Sequence, residues 1–274
     1  MSRSPAAPID RRTIGDFGRQ WTAYPDNSGF YGSTDLFEDA FGALLPKEEI
    51  RGKRVADIGS GSGRVVRMLL ALGASEIVAV EPSAAFDVLK EQTLDESARI
   101  RYINDTGDRL PPTADLDLVV AYGVLHHISD PKPVVRAGWR ALKPGGKMIA
   151  WLYGWEGNAS YLRVALPMRR LTTRLPHRAL AALSRVLNVG VDVYLPLAKR
   201  LPLPLAGYMT NVVSKLSRQH RRLVIYDQLC PAYAHYYRAH EARALFEEAG
   251  FVDVRLHHRH GYSWTVVGTR PTTP

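Results

Sequence analysis

The sequence predicts a doubly wound α/β fold with a mostly parallel, seven-stranded sheet and a helical lid insertion. Short apolar runs alternate with helical segments between about residues 53 and 152. Such alternation is typical of parallel strands joined by crossover helices. A helical stretch broken by prolines then occupies residues 155–222, and a helix with two strand-like runs follows it.

Each strand of the first part is a short apolar run, as expected of strands buried on both faces of a sheet. The predicted strands are 54–58, 76–80, 100–104, 116–121 and 147–152, with closing strands at 252–257 and 263–268. Glycines end several of the intervening helices, as at Gly73 and Gly250. The predicted helices of the core are 64–72, 84–92, 133–142 and 240–249.

The chain is predicted to form one domain over residues 1–274, with four parts. Residues 1–50 carry several aromatic side chains that cover the sheet, and residues 51–155 form the cofactor-binding core. Residues 156–225 form a basic helical insertion, and residues 226–274 supply the last helix and the closing strands.

The cysteine content and the distribution of apolar residues indicate the cellular compartment. A single cysteine, Cys230, excludes an internal disulfide framework and fits a reducing compartment. The first 15 residues lack an apolar run, and no stretch of about 18 uncharged apolar residues occurs. We therefore expect a cytoplasmic protein, with attachment to the inner face of a membrane as the alternative.

A glycine-rich loop follows the first predicted strand, and residues 57–63 read D-I-G-S-G-S-G. A strand, a glycine turn and a helix N-terminus form a ligand cradle, because N–H groups face outward and glycine lets a ligand approach closely. The dinucleotide pattern G-x-G-x-x-G fails, since Arg64 or Val66 stands where its third glycine belongs. The acid at Asp57 favours a cationic ligand over a pyrophosphate.

Three further elements follow neighbouring predicted strands at their carboxyl ends, where open α/β sheets bind ligands. Glu81, followed by Pro82, supplies a carboxylate that can accept both hydroxyls of a ribose. Thr106 and Gly107 offer a hydroxyl and an N–H group to the edge of an adenine, and Tyr122 ends the fourth strand. The four elements together predict a site for a nucleoside-containing ligand.

These motifs, with the turn at residues 142–146, resemble the ordered motifs of class I methyltransferases that use S-adenosylmethionine (SAM). The resemblance is closest to a broad group that includes quinone-biosynthesis and small-molecule methyltransferases, and it covers about residues 50–155 and, more weakly, 241–268. It implies a Rossmann-like methyltransferase fold, with SAM as cofactor, S-adenosylhomocysteine as product and no metal.

The resemblance also implies roles for individual residues. Gly59 and Gly61 are expected to pack on the amino-acid part of SAM, and Glu81 to hold its ribose. The family's Gly-Asp-Ala aligns either with residues 105–107 or with residues 107–108, so two registers for the adenine contact stay open. The expected cofactor-binding residues are Asp57, Gly59, Ser60, Gly61, Glu81, Pro82, Thr106, Gly107 and Tyr122.

Methyl transfer from a sulfonium is an in-line displacement, in which an enzyme aligns the reactants and can remove a proton from the acceptor. His126 and His127 follow Tyr122, and either is a candidate general base or acceptor ligand, with His127 preferred; a packing role is the alternative. Tyr153, after the fifth strand, is a further catalytic candidate, and Glu156 is a candidate substrate ligand.

The segment at residues 226–237 is dense in aromatic side chains that can form hydrogen bonds. It either lines the acceptor pocket or anchors the lid through its apolar rings. The candidate substrate residues in it are Tyr233, His235, Tyr236 and Tyr237. The histidines at 257, 258 and 260 are interpreted as a solvated edge, because no carboxylate or cysteine stands at metal-ligand spacing nearby.

The net charge of +9 is concentrated in one segment. Residues 162–222 contain 12 lysines and arginines and a single acid, Asp192. Such a segment attracts anionic partners by electrostatic steering. We expect a small-molecule or lipid-linked, anionic acceptor, such as a saccharide or a cell-envelope metabolite, with peripheral membrane contact through residues 162–222 as a further option. Nucleic acid is disfavoured because no recognisable binding module is present.

The predicted function is thus a SAM-dependent methyltransferase that acts on oxygen, nitrogen or carbon of such an acceptor. Three alternatives stay open at this point. They are an NAD(P)-dependent oxidoreductase on a similar sheet, an RNA methyltransferase, and a methyltransferase-like module that does not catalyse. The sequence predicts neither the acceptor nor the oligomeric state.

Overall fold

The computed structural model describes residues 7–272, apart from the side chain of His177, and these residues contain one seven-stranded sheet. Its strands are β1 (Arg54–Ile58), β2 (Glu76–Val80), β3 (Ile100–Ile103), β4 (Leu116–Tyr122), β5 (Leu142–Tyr153), β6 (Val252–Arg259) and β7 (Ser263–Thr269). Their spatial order is β3-β2-β1-β4-β5-β7-β6, in which β1 to β5 pair in parallel and β7 is antiparallel to both neighbours. The predicted doubly wound sheet is confirmed.

The α-helices of the described residues lie on both faces of the sheet and above its carboxyl edge. They are α1 (Pro8–Ala23), α2 (Thr34–Phe41), α3 (Arg64–Ala71), α4 (Ala85–Gln92), α5 (Lys132–Ala141), α6 (Ala159–Thr172), α7 (His177–Ala198), α8 (Ala206–Asn211), α9 (Arg218–Leu229) and α10 (Ala239–Glu247). Most core elements agree with the sequence to within two residues. The fifth strand begins earlier than predicted, because Leu142 already pairs with Leu116 and a register shift absorbs the following turn.

Alternate residues of each central strand belong to two different apolar clusters, one on each face of the sheet. Val55 and Ile77 belong to the first cluster, whereas Ala56 and Val78 belong to the second. The period-two alternation of side chains across a strand produces this division. Both faces are therefore buried, and the carboxyl edge of the sheet is the part that remains free to bind a ligand.

The basic insertion folds into α6 to α9, and its residues close over the carboxyl edge of the sheet. Pro167 and Pro196 lie inside α6 and α7 rather than ending them. The expected boundary at residue 225 falls within α9, which continues to Leu229. The helical insertion therefore extends to Leu229.

One helix of the insertion is unusually apolar and exposed. The stretch Arg178–Ala198 is long and apolar enough to cross a membrane, with a mean hydropathy of 1.3 and 17% of its window buried. This was not expected, because Arg185 and Asp192 interrupt its apolar run. A single helix of this kind does not establish a membrane span.

Candidate active site

A cavity of about 660 Å³ lies at the carboxyl edge of the sheet, within the size range of small-molecule sites. Its floor comes from the ends of β1, β2, β4 and β5, and its roof comes from α1 and the insertion. The polar and aromatic residues that mark its two ends are Gly59, Glu81, Asn104, Thr106, Gly107 and Tyr122, and then Trp151, Tyr153, Tyr208, Asp227, Arg259 and Tyr262.

The loop after β1 adopts a conformation that requires glycine. Gly59 has a φ of +71°, and a Cβ atom there would lie 2.6 Å from Cγ2 of Val124. Left-handed backbone and a close neighbour both exclude a side chain at this position. The indole of Trp21, from α1, lies over Gly61. The loop is therefore packed tightly between the sheet and the N-terminal helix.

Glu81 is a buried and firmly anchored carboxylate of the cavity. It is 5% exposed, and its two carboxylate oxygens accept hydrogen bonds from the N–H groups of Gly61 (2.8 Å) and Ser83 (2.9 Å). The side chain of Asn104 donates to the Glu81 carbonyl oxygen at 2.9 Å. These bonds hold one carboxylate in a fixed position on the cavity wall.

The loop after β3 forms the neighbouring part of the wall. Thr106 and Gly107 both line the cavity, as do Pro82 and Tyr122. A Cβ atom on Gly107 would lie 2.6 Å from Cγ2 of Ile58, so the loop can approach the end of β1 only with glycine there. The expected nucleoside-binding residues are thus brought together at one end of one cavity.

Asp57, Ser60 and Gly61 belong to this loop but do not line the cavity. Burial raises the pKa of Asp57 to about 7, and its Oδ2 atom has no hydrogen-bond partner among the described residues. The Ser60 hydroxyl donates to the Asp57 carbonyl oxygen at 3.0 Å. These three residues therefore contribute to the conformation of the loop and not to the cavity wall.

Arg64, which was not predicted as a site residue, lies beside the loop. Its guanidinium is stacked 4.5 Å from the ring centres of both Tyr31 and Tyr122. It lines the cavity, and the neighbouring tyrosines and Asp57 raise its pKa despite burial. In the sequence, the position of Arg64 directly after Gly63 predicts only the start of a helix and not a role in the site.

At the other end of the cavity, Tyr153 and Asp227 form a buried hydrogen-bonded pair. The Tyr153 hydroxyl donates to Oδ2 of Asp227 at 3.0 Å, and the amide of Gln20 donates to Oδ1 at 3.1 Å. Gln228 donates to the Tyr153 oxygen at 2.7 Å. Burial raises the pKa of Asp227 above its ordinary value and that of Tyr153 well above its own.

The two histidines after β4 line the cavity as neutral rings. Burial lowers the pKa of His127 to about 3 and that of His126 well below 6.5. Nδ1 of His127 lies 2.8 Å from the carbonyl oxygen of Tyr233, which can only accept, so this nitrogen carries the proton. Nδ1 of His126 faces the Tyr153 N–H group at 3.4 Å. Because of these lowered pKa values, neither ring takes up a second proton near neutral pH.

The candidate substrate residues do not line this cavity, and one of them lines a second cavity. Glu156 accepts bonds from the Ala239 N–H group and the Trp264 indole, both at 3.0 Å, and does not line the cavity. Tyr237 is 5% exposed and belongs to a core cluster. Tyr233 and His235 also lie off the cavity wall, whereas Tyr236 stacks on Tyr153 at 5.4 Å and lines a second cavity.

Within residues 7–272, no group of three or more histidine, cysteine or acidic side chains is arranged to hold a metal ion. His260 instead contacts Oδ1 of Asp39 at 2.8 Å, and Arg259 is paired with the same carboxylate.

The strand order, the glycine loop after β1 and the carboxylate after β2 together define a class I SAM-dependent methyltransferase. Residues 56–150 match the model of a family described as methyltransferase domain. The predicted family resemblance is confirmed, and the matched residues contain the glycine loop and Glu81.

Known relatives share this core. The chain is 31% identical over 116 residues to a ubiquinone biosynthesis O-methyltransferase of Idiomarina loihiensis, covering 38% of this chain and 47% of that protein. It is 33% identical over 102 residues to the enzyme of that name from Nitrosococcus oceani, covering 36% and 43%. The chain therefore spans less than half the length of these relatives.

Solved structures extend the likeness of fold over nearly the whole chain. Human N-acetylserotonin methyltransferase, solved with SAM, gives a TM-score of 0.56 at 14% identity, covering 98% of this chain and 60% of that one. A SAM-dependent methyltransferase of Thermotoga maritima gives 0.52 at 16% identity, covering 93% and 98%. At such identities the likeness shows the fold alone.

The residues present fit SAM on structural grounds. At Gly59 and Gly107 a Cβ atom would meet Val124 and Ile58, so only glycine lets these two loops pack closely at the cavity wall. Glu81 offers a fixed carboxylate for ribose hydroxyls, and the Arg64 guanidinium offers a cation for a carboxylate. The cavity thus presents complementary groups for the nucleoside and for the amino-acid end.

Proposed function

We propose that this chain transfers the methyl group of SAM to an oxygen, nitrogen or carbon nucleophile held beside Tyr153 and Asp227. The observation that carries the proposal is that one cavity joins Glu81 and Gly59 at one end to the buried Tyr153–Asp227 pair at the other. SAM, when bound, supplies an electrophilic methyl group on a sulfonium. No metal is required for such a displacement.

Binding and orientation are assigned to residues of the core. Glu81 holds the ribose, the segment from Asn104 to Gly107 meets the adenine, and Arg64 pairs with the amino-acid carboxylate. Trp21 and Phe17 of α1 cover this end and exclude water from it. Fixed geometry of this kind is the main contribution that a methyltransferase makes to rate.

Asp227 is the proposed general base for an acceptor that carries a proton. Burial moves the pKa of Asp227 upward, toward neutral pH, and a general base is most efficient when its pKa is close to the working pH. Tyr153 and Gln20 hold the two oxygens of Asp227 and position them at the cavity wall. His126 and His127 are proposed to shape the site as neutral rings rather than to remove the proton.

The acceptor is proposed to be anionic, and either a small molecule or a lipid-linked compound. The positive charge of residues 162–222 supports this choice, because basic side chains near the mouth of a site attract anions.

The test is SAM turnover with a whole-cell extract as the source of acceptor, measured as release of S-adenosylhomocysteine. The wild-type chain should release product, and Asp227→Asn should not, although both bind SAM equally in calorimetry. Equal turnover by the two proteins would contradict the assignment of Asp227.

A further inference from the structure

A second cavity, of about 570 Å³, lies between the helices of the insertion. Its wall is built from Val164 and Met168 of α6, Leu187 and Val191 of α7, and Ile225 of α9. It adjoins the methyl-transfer cavity across a shared wall, and the residues that line both are Trp151, Tyr153, Tyr208, Val224, Gln228 and Tyr262. A ligand bound in the second cavity would therefore lie against Tyr153, which also lines the methyl-transfer cavity.

The second cavity is suited to hydrocarbon. Its lining is mainly aliphatic and aromatic, and Arg221 is its one charged side chain in the described part of the chain. Arg221 is already paired with Asp192 at 2.9 Å. Burial of an apolar chain in such a cavity is favourable by about 0.8 kcal/mol for each methylene group.

The cavity reaches the surface between α6 and α7. Val164 lines it and is 68% exposed, and Gly190, opposite on α7, lines it and is also exposed. A Cβ atom on Gly190 would have no neighbour within 4 Å. These two residues mark the mouth of the second cavity.

Around this mouth, α7 presents a continuous apolar stripe to solvent. Val186, Val189, Val193 and Leu197 are spaced three or four residues apart and are between 45% and 68% exposed. Residues at this spacing share one face of a helix. The same two helices carry exposed basic side chains, Arg178 and Arg185 on α7 and Arg163 and Arg170 on α6.

An apolar helix face with arginines on the same two helices matches the interface of an anionic bilayer, in which apolar side chains enter the acyl boundary and basic ones meet lipid headgroups. A second copy of this chain is a poorer occupant, because two such basic faces would repel each other. Arg169 and Arg221 do not contribute to this face, since Arg169 is buried against the Pro231 carbonyl oxygen and Arg221 is paired.

We propose that α7 lies on an anionic membrane and that a membrane lipid acceptor inserts its hydrocarbon chain through the mouth at Val164 and Gly190 into the second cavity, with its reacting group beside Tyr153. The proposal rests on the methyltransferase function proposed above. It assigns the substrate class as an amphiphile with one apolar chain and a nucleophile at the opposite end.

The first test measures binding of dodecanol, an uncharged chain, in the presence of S-adenosylhomocysteine. Gly190→Trp should close the mouth and weaken dodecanol binding at least tenfold, whereas the adjacent Val189→Trp, which does not line the cavity, should leave it unchanged. Both variants should bind S-adenosylhomocysteine as wild type does. Failure of wild type to bind dodecanol, or equal binding by Gly190→Trp, would overturn the tail site.

The second test measures co-sedimentation with vesicles of phosphatidylglycerol and phosphatidylcholine, and with phosphatidylcholine alone. Wild type should bind the anionic vesicles, and Val186→Glu with Val193→Glu should reduce binding at least tenfold. Leu94→Glu, at a residue 70% exposed outside the insertion, is the control and should bind as wild type.

The outcomes separate this inference from the function on which it rests. If the wild type does not bind S-adenosylhomocysteine, the proposed methyltransferase function itself is contradicted. Normal cofactor binding without vesicle binding, or dimerisation through α7 in light scattering, would overturn the membrane assignment alone.

Discussion

The hydroxyl of Tyr153 donates a 3.0 Å hydrogen bond to Oδ2 of Asp227, a residue 74 positions later in the chain. Tyr153 ends the last parallel strand, and Asp227 belongs to the final helix of the basic insertion. The bond therefore joins the SAM-binding core to the insertion inside the cavity. The insertion thus contributes a polar residue to the wall of the candidate site and does not only cover it.

Removing the carboxylate of this pair should abolish transfer without affecting the cofactor. Asp227→Asn is expected to lower kcat by about 10²- to 10⁴-fold, the usual contribution of general-base catalysis. In the wild type, the rate should rise with pH through the raised pKa of Asp227, because only the ionised carboxylate accepts a proton. A pH profile of SAM turnover, with SAM affinity measured alongside, checks both statements.

His127 provides the contrasting variant. Its pKa of about 3 makes the ring a weak proton acceptor at neutral pH. We expect His127→Asn to retain turnover within about tenfold of wild type, since only ring contacts with Phe17, His126 and Tyr153 and one hydrogen bond are altered. A loss as large as that of Asp227→Asn, measured in the same assay, would transfer the role of general base to His127.

The glycine loop can be tested with two glycines of the same backbone geometry. Gly59 and Gly52 both have a φ of +71°, but a Cβ atom clashes with Val124 only at Gly59 and meets nothing within 4 Å at Gly52. Gly52→Ala should cost about 1–2 kcal/mol in the free energy of unfolding, the strain of a left-handed residue. Gly59→Ala should cost more and should also weaken SAM binding in calorimetry, whereas Gly52→Ala should bind SAM normally.

The buried carboxyl of Asp57 makes stability depend on pH. Its pKa is about 7 in the folded chain and 3.8 ordinarily, so the unfolded state ionises first as the pH rises. The wild type should therefore lose up to about 4 kcal/mol between roughly pH 4 and pH 7 relative to Asp57→Asn. Urea unfolding of both proteins across this range measures the difference, and a constant difference would show that Asp57 is ionised in the folded state.

The sequence predicts the core of this fold well, because each of its strands is a short apolar run bounded by glycine, proline or an acid. The ends of β1, β2 and β3 carry Gly59, Glu81 and Thr106 at the positions where parallel strands bring their carboxyl ends together. Local pattern and topology predict these three residues, whereas Arg64 at the same end of the site was missed.

The acceptor end was not predictable in the same way. Asp227 becomes a site residue only because α9 folds back to within hydrogen-bonding distance of Gln20, 207 positions earlier. Glu156, at a suggestive place after β5, instead accepts two bonds that anchor α10 and β7. Such long-range contacts leave no periodic signal in the chain.

The most direct test of the central claim is calorimetric titration of SAM into wild type, Glu81→Ala and Glu76→Ala. Glu76 stands at the opposite end of β2, is 42% exposed in its side chain and pairs with Arg54, so it controls for loss of a carboxylate from the same strand. Wild type and Glu76→Ala should bind SAM with equal affinity, and Glu81→Ala should bind at least about 100-fold more weakly, as expected when a buried, hydrogen-bonded charge is removed. Absence of SAM binding to the wild type, or equal binding by all three proteins, would contradict the account.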